Sequence, residues 1–143
     1  MTDVRVVTTD AELEDAFAVR RAVFVDEQGV DEALEYDDHE DDATHFVAYD
    51  GEQPVGAARV RSPEPGVGKA ERVAVLGSHR GLGIGRELMH TLEAEAESMG
   101  VETIVLHSQT QAAEFYERLG YERVSDVFEE ASIPHVRMEK SLE

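Results

Sequence analysis

Between a valine-rich segment and an amphipathic one, the chain reads Arg80-Gly81-Leu82-Gly83-Ile84-Gly85-Arg86. Glycine is costly to order, so three in five residues imply a tight turn or a close approach to the backbone. A strand, a glycine-rich turn and a helix together form a site for phosphate. The first amides of the helix lack internal partners, its dipole is positive at that end, and glycines let an anion reach those amides. Arg80 and Arg86 flank the turn and would add positive charge. The plainer alternative is a tight turn with close helix–strand packing. Two common phosphate sites fit poorly. The G-x-x-x-x-G-K-[ST] signature is absent. The dinucleotide fingerprint needs another glycine spacing, and the strand that follows ends in His107-Ser108, not in an acid suited to a ribose.

The elements that must position this turn can be read from periodicity. Residues 4–8 predict a strand, and Thr9 with Glu12 forms a capping box that opens a helix running to about Val25. The stretch 26–42, DEQGVDEALEYDDHEDD, holds ten acids in seventeen residues. It lacks the glycine at position six of a calcium loop, so a solvated loop with a short helix is expected. Residues 44–49 and 54–61 predict a hairpin turning at Asp50-Gly51. Residues 69–76 predict a further strand. From Gly83 to Met99, Leu88, Leu92, Ala96 and Met99 share one helical face, and Gly100 closes the helix. The next strand is ETIVLHS. Ala112, Phe115, Tyr116 and Leu119 then mark a helix over 111–119, ended by Gly120. Residues 121–128 and 134–140 predict two last strands. This order describes one α/β domain spanning 1–143, a sheet with helices on its faces.

Composition narrows the function. Thirty-two acids against thirteen bases give a net charge of −19, and only two of the bases, Lys69 and Lys140, are lysines. Such an acid-rich, lysine-poor surface suggests adaptation to high salt, which screens the self-repulsion. The rival reading is attraction of a cationic partner. No basic patch exists to neutralise nucleic-acid phosphates. The absence of cysteine excludes disulfides, thiolate zinc sites and cysteine nucleophiles, and no metal site is expected. No apolar run is long enough to span a bilayer, and the N-terminus does not read as a secretory signal. The expectation is a cytoplasmic protein without membrane or nucleic-acid partners.

Arg80-Gly81-Leu82-Gly83-Ile84-Gly85 resembles the [Q/R]-x-x-G-x-[G/A] pyrophosphate loop of the GNAT (Gcn5-related N-acetyltransferase) superfamily, which binds acetyl-CoA. ERVAVLGSHRGLGIGRELM resembles that family's strand–loop–helix motif. LHSQTQAAEFYERLGY, residues 106–121, resembles its second motif, N-x-x-A-x-x-x-Y-x-x-x-G-[F/Y], with Gln109 where asparagine is common. VFVDEQGV, EYDDHEDDATHFVA, LHSQ, FYERLGY and IPHVRM are similar to the ElaA/YjcF-type branch. The resemblance implies the GNAT acyl-CoA N-acyltransferase fold, a mixed, mostly antiparallel sheet with helices on both faces. It implies acetyl transfer from acetyl-CoA, as co-substrate, to a small-molecule or peptide amine, and it is compatible with a homodimer. An acyl-CoA sensor without turnover is the alternative.

The same resemblance distributes roles. Val73, Ala74 and Val75 would offer backbone groups to the pantetheine arm and acetyl group. The amides of Gly81, Leu82, Gly83, Ile84, Gly85 and Arg86, with Arg80, would hold the pyrophosphate, and Gln109 would hydrogen-bond the cofactor. Tyr116 matches the tyrosine that protonates the leaving thiolate, although its apolar stripe also suits plain packing. Glu71 and His107 are the candidate bases, since a carboxylate stands near Glu71 in some members and a histidine accepts a proton near neutral pH. Glu27, Gln28 and Asp37 fall in the loop that covers the acceptor side, and His135 lies on a strand reaching the same cleft.

Overall fold

A computed structural model describes residues 2–142. Strand β1, Thr2–Val6, leads into helix α1, Asp10–Arg20. Thr9 caps α1 by accepting from the Glu12 amide at 3.1 Å. Glu12 returns the contact one residue earlier than expected, to the Thr8 amide at 2.8 Å. The helix then widens into a π-helical segment, Arg21–Glu27, in which the Gln28 amide donates to the Val23 carbonyl five residues back. A single short turn, α2 (Glu32–Glu35), follows.

Strands β2 (Thr44–Asp50), β3 (Gln53–Glu64) and β4 (Val67–Val75) form a meander. Helix α3 (Ile84–Ser98), β5 (Thr103–Gln109) and α4 (Ala113–Arg118) follow. The chain ends in β6 (Glu122–Arg123), β7 (Phe128–Glu130) and β8 (Ile133–Ser141). The sheet order is β1-β2-β3-β4-β5-β8-β6, with β7 also on β8. Only β4 and β5 run parallel; the other neighbours are antiparallel.

Alternation along β2 explains why both faces are covered. Phe46 and Ala48 point to one side, where Ile84, Leu88, Met89, Leu92 and Ala96 of α3 pack. Val47 and Tyr49 point to the other, against Ala16 and Val19 of α1. A strand buried on both faces needs an apolar residue at nearly every position, as here.

Four expectations need correction. Met99 is 47% exposed and lies outside the core face of α3. The helix expected over 111–119 begins as a 3₁₀ turn at Thr110–Ala112 and is helical only from Ala113 to Arg118. The strand expected over 121–128 is broken, because the Arg137 amide donates to the Ser125 hydroxyl at 2.9 Å and interrupts the ladder. The acidic stretch 26–42 has its short helix, but Glu35, Asp37 and Glu40 are held in ion pairs with arginines instead of being solvated.

Candidate active site

The site exists because two parallel strands part. β4 and β5 pair from Val67–Thr103 to Ala70–Leu106 and no further. Beyond that point β4 stays with β3 and β5 stays with β8. A bulge sharpens the divergence: β3 advances from Ala57 to Arg59 while β4 passes from Ala74 to Glu71, and Arg72 adopts φ +56°. The resulting cleft measures about 770 Å³, a size suited to a cofactor-bearing site. It brings together Glu27, Gln28, Asp37, Glu71, Val73, Ala74, Val75, Arg80, His107, Gln109, Tyr116 and His135 from the sequence reading. Residues 81–86 do not line it; they start at the Arg80 corner and form the loop into α3.

That loop has the form of an anion site. Gly81 and Gly83 have φ of +80° and +83°, and a Cβ at either would meet nothing within 4 Å, so the space above them is open. Gly85 serves packing instead: its Cβ would stand 3.1 Å from the Phe115 ring. The Glu87 amide donates to the Gly83 carbonyl, as the first turn of α3 requires. The amides of Ile84, Gly85 and Arg86 before it have no place in the helical ladder. Ile84 buries its side chain in the core, and Leu82 is exposed. Arg86 is exposed. Arg80 is not a free cation. Its guanidinium grips Glu27 at 2.6 and 2.7 Å and donates to the Val75 carbonyl. The Arg80 hydrogen bond holds the Glu27 carboxyl below its ordinary range.

The opposite wall is built from charge. Arg20 and Arg59 are fully buried. Arg20 binds Glu35 at 2.7 Å and Glu40 at 2.7 Å. Arg59 binds Asp37 at 2.7 Å, Glu40 at 2.8 Å and Glu71 at 3.0 Å. Arg72, on the bulge, donates to the Leu34 and Glu35 carbonyls. These bonds pin the α2 loop over β3 and β4. They also decide what the acids can do. The Arg59 guanidinium holds the Asp37 carboxyl well below the usual carboxylate range. Burial alone would raise Glu71, but Arg61, Arg59 and Lys69 outweigh it and lower its proton affinity. A carboxylate so engaged is a weak base, so the candidacy of Glu71 as the proton acceptor loses its physical ground.

Tyr116 is buried, which raises its pKa and keeps the hydroxyl protonated. Its ring packs edge-on to Phe115 and Tyr121, and the residue lines the cleft. Gln109 bonds Gln28 at 2.8 Å, joining β5 to the end of the π-helical segment. His107 Nδ1 lies 3.0 Å from Glu130 Oε1. His135 Nδ1 lies 2.7 Å from the Ile133 carbonyl, and its Nε2 is 3.8 Å from Glu130. Glu130 was not singled out from the sequence, and nothing in FEEASIPH marks it. Arg59 was also missed, yet a charged residue inside the small apolar run GAARV was a usable signal.

A mixed sheet that parts between two parallel strands, with a glycine-rich loop after the first leading into a helix, is the acyl-CoA N-acyltransferase fold. An acyl-CoA N-acyltransferase from Pseudomonas aeruginosa superposes with a TM-score of 0.83 at 28% identity, over 98% of this chain and 99% of that one. The chain belongs to the GNAT acetyltransferase family, whose domain model matches residues 7–142; acetyl-CoA is that family's co-substrate. The uncharacterized N-acetyltransferase YjcF of Bacillus subtilis is 45% identical over 136 residues, covering 94% of this chain and 96% of YjcF. The protein ElaA of Escherichia coli is 30% identical over 128 residues, 87% of this chain and 84% of ElaA. The ElaA crystal structure superposes with a TM-score of 0.85, over 98% of this chain and 99% of that one.

Proposed function

We propose that the protein is an N-acetyltransferase that moves the acetyl group of acetyl-CoA onto a primary amine. The observation that carries this reading is the wedge beyond Ala70 and Leu106, with buried Tyr116 at its wall. The free edge of Val73–Val75 suits an extended pantetheine arm, and the amides of residues 81–86 suit the pyrophosphate. Gln109 supports the cofactor from β5. Arg80 acts mainly as a strut between the loop and Glu27.

The reaction joins the amine nitrogen to the thioester carbonyl carbon and breaks the C–S bond. Of the three protons on the acceptor ammonium, one stays on the amide nitrogen. One goes to His107 and on to solvent. The third restores Tyr116 after its hydroxyl has protonated the departing thiolate. His107 takes the base role because Glu71 is neutralised by three cations. Gln28 and His135 border the acceptor space, while Asp37 and Glu27 hold its walls.

A screen of primary amines with acetyl-CoA, reading released thiol in buffers up to molar KCl, tests this. Thiol release dependent on one class of amine is the expected result. Firm binding of CoA without thiol release from any amine favours the sensor instead.

A further inference from the structure

The β7–β8 hairpin turns through Ala131 and Ser132, both with positive φ, +52° and +63°. Non-glycine residues seldom adopt this conformation. Two in succession give the tight reversal that registers Phe128 with His135 and Glu130 with Ile133. In the same sheet His107 pairs with Arg137 and Gln109 with His135, so His107 and His135 share a face. The hairpin therefore folds Glu130 back over two imidazoles at the end of the cleft.

The geometry points to a carboxylate–imidazole dyad, in which Glu130 fixes the tautomer of His107 so that His107 Nε2 receives the proton of the attacking amine. This rests on the acetyl-transfer reading above and adds Glu130 as a positioning residue. An ionised carboxylate only accepts hydrogen bonds. At 3.0 Å its partner Nδ1 must carry the hydrogen, which leaves the lone pair of the neutral ring on Nε2. The hydrogen bond from His107 is also the main cause that holds the Glu130 carboxyl below its ordinary range. Phe128 packs edge-on to the His107 ring at 5.1 Å and fixes its plane. His135 supplies the contrast. The Ile133 carbonyl takes its Nδ1 hydrogen, and its Nε2 faces Glu130 at 3.8 Å, a contact that attracts only when His135 is protonated.

The other charged groups on this face do not replace Glu130. From β4 come Lys69 and Glu71, which pair with each other at 3.4 Å. From β8 come Arg137 and Glu139, also paired at 3.4 Å. Among the described residues Glu130 is the one carboxylate in hydrogen-bond reach of His107. It is half-exposed, so its replacement leaves the core intact.

Nitrogen-15 NMR of the imidazoles in the full chain tests the dyad, with H107Q assigning the resonance. Wild-type His107 should show the Nδ1–H tautomer near pH 8, and E130A should lose that preference. With the amine found by the screen, kcat of E130A should fall roughly 10-fold, part of the 10²–10⁴ of general base catalysis. KM for acetyl-CoA should not change, and E130D should recover part of kcat. A wild-type Nε2–H tautomer, or a working enzyme whose tautomer and kcat ignore Glu130, overturns the dyad alone. Wild-type protein that binds acetyl-CoA but releases no thiol from any amine overturns the reading beneath it.

Discussion

The charged wall of the cleft and the loop that leaves its Arg80 corner are made of different materials. On one side, the loop from Arg80 into α3 presents backbone amides and open space, with its side chains turned to solvent or core. On the other, the α2 loop is held by buried guanidiniums, each shared among two or three carboxylates. An amide-lined loop recognises a feature common to every CoA thioester. A wall of mutually satisfied charges is rigid and shaped, and it spends its acids on arginines instead of on a ligand. Glu27 and Asp37 illustrate the second point, since each already holds a guanidinium.

If this division is right, substitutions in the two regions should fail in different ways. The largest effect is expected at Tyr116, which lines the cleft. Tyr116→Phe keeps the ring packing and removes the hydroxyl, so turnover should fall roughly 10²- to 10⁴-fold, the scale of general acid catalysis. CoA affinity and melting temperature should stay near wild type. Next is Arg59→Ala, which removes the buried guanidinium shared by Asp37, Glu40 and Glu71 and leaves each with fewer cations. Loss of one partner in a buried ion network costs about 3–5 kcal/mol, to be read by chemical denaturation in molar KCl. CoA affinity should survive in the folded fraction. Gly83→Asp should do the reverse: CoA binding by calorimetry should disappear while stability falls only by the strain of a side chain at positive φ. If Arg59→Ala lost CoA binding in the fully folded protein, the two regions would not be separable.

Legibility follows the same division. Residues 80–86 formed a readable motif because backbone recognition requires glycine at fixed local spacing. The burial of Tyr116 was readable because its helix carries a local apolar stripe, whereas its role as thiolate acid came from the resemblance alone. The bulge at Arg72 left no mark, since a non-glycine residue occupies the left-handed position. The charge network was misread as a solvated stretch because its partners lie far apart in sequence, 15 residues for Arg20–Glu35 and 22 for Arg59–Asp37. Glu130 was invisible for a related reason: only the fold-back at Ala131–Ser132 brings it to His107.

Two smaller effects sharpen the contrast. The lowered pKa values of Asp37, Glu40 and Glu71 mean that the unfolded chain binds more protons than the folded one as pH drops through the ordinary carboxylate range. Their stabilisation is complete above that range and is lost as pH falls through the folded values. Wild-type protein should therefore lose more stability below about pH 4 than Asp37→Asn does, measured by urea midpoints. Salt acts on the surface charge instead. With a net charge of −19, the melting temperature should rise from dilute buffer to molar KCl by screening. A flat curve would remove the high-salt reading and revive attraction of a cationic acceptor.

On this reading one ligand runs from the amides of the loop at the Arg80 corner into the cleft and ends at Tyr116. A crystal structure of the protein with CoA tests it most directly. The pyrophosphate should lie on the amides of residues 81–86, the pantetheine arm along Val73–Val75 and the sulfur within hydrogen-bond reach of the Tyr116 hydroxyl. Pyrophosphate bound elsewhere, or a sulfur directed away from Tyr116, would contradict it.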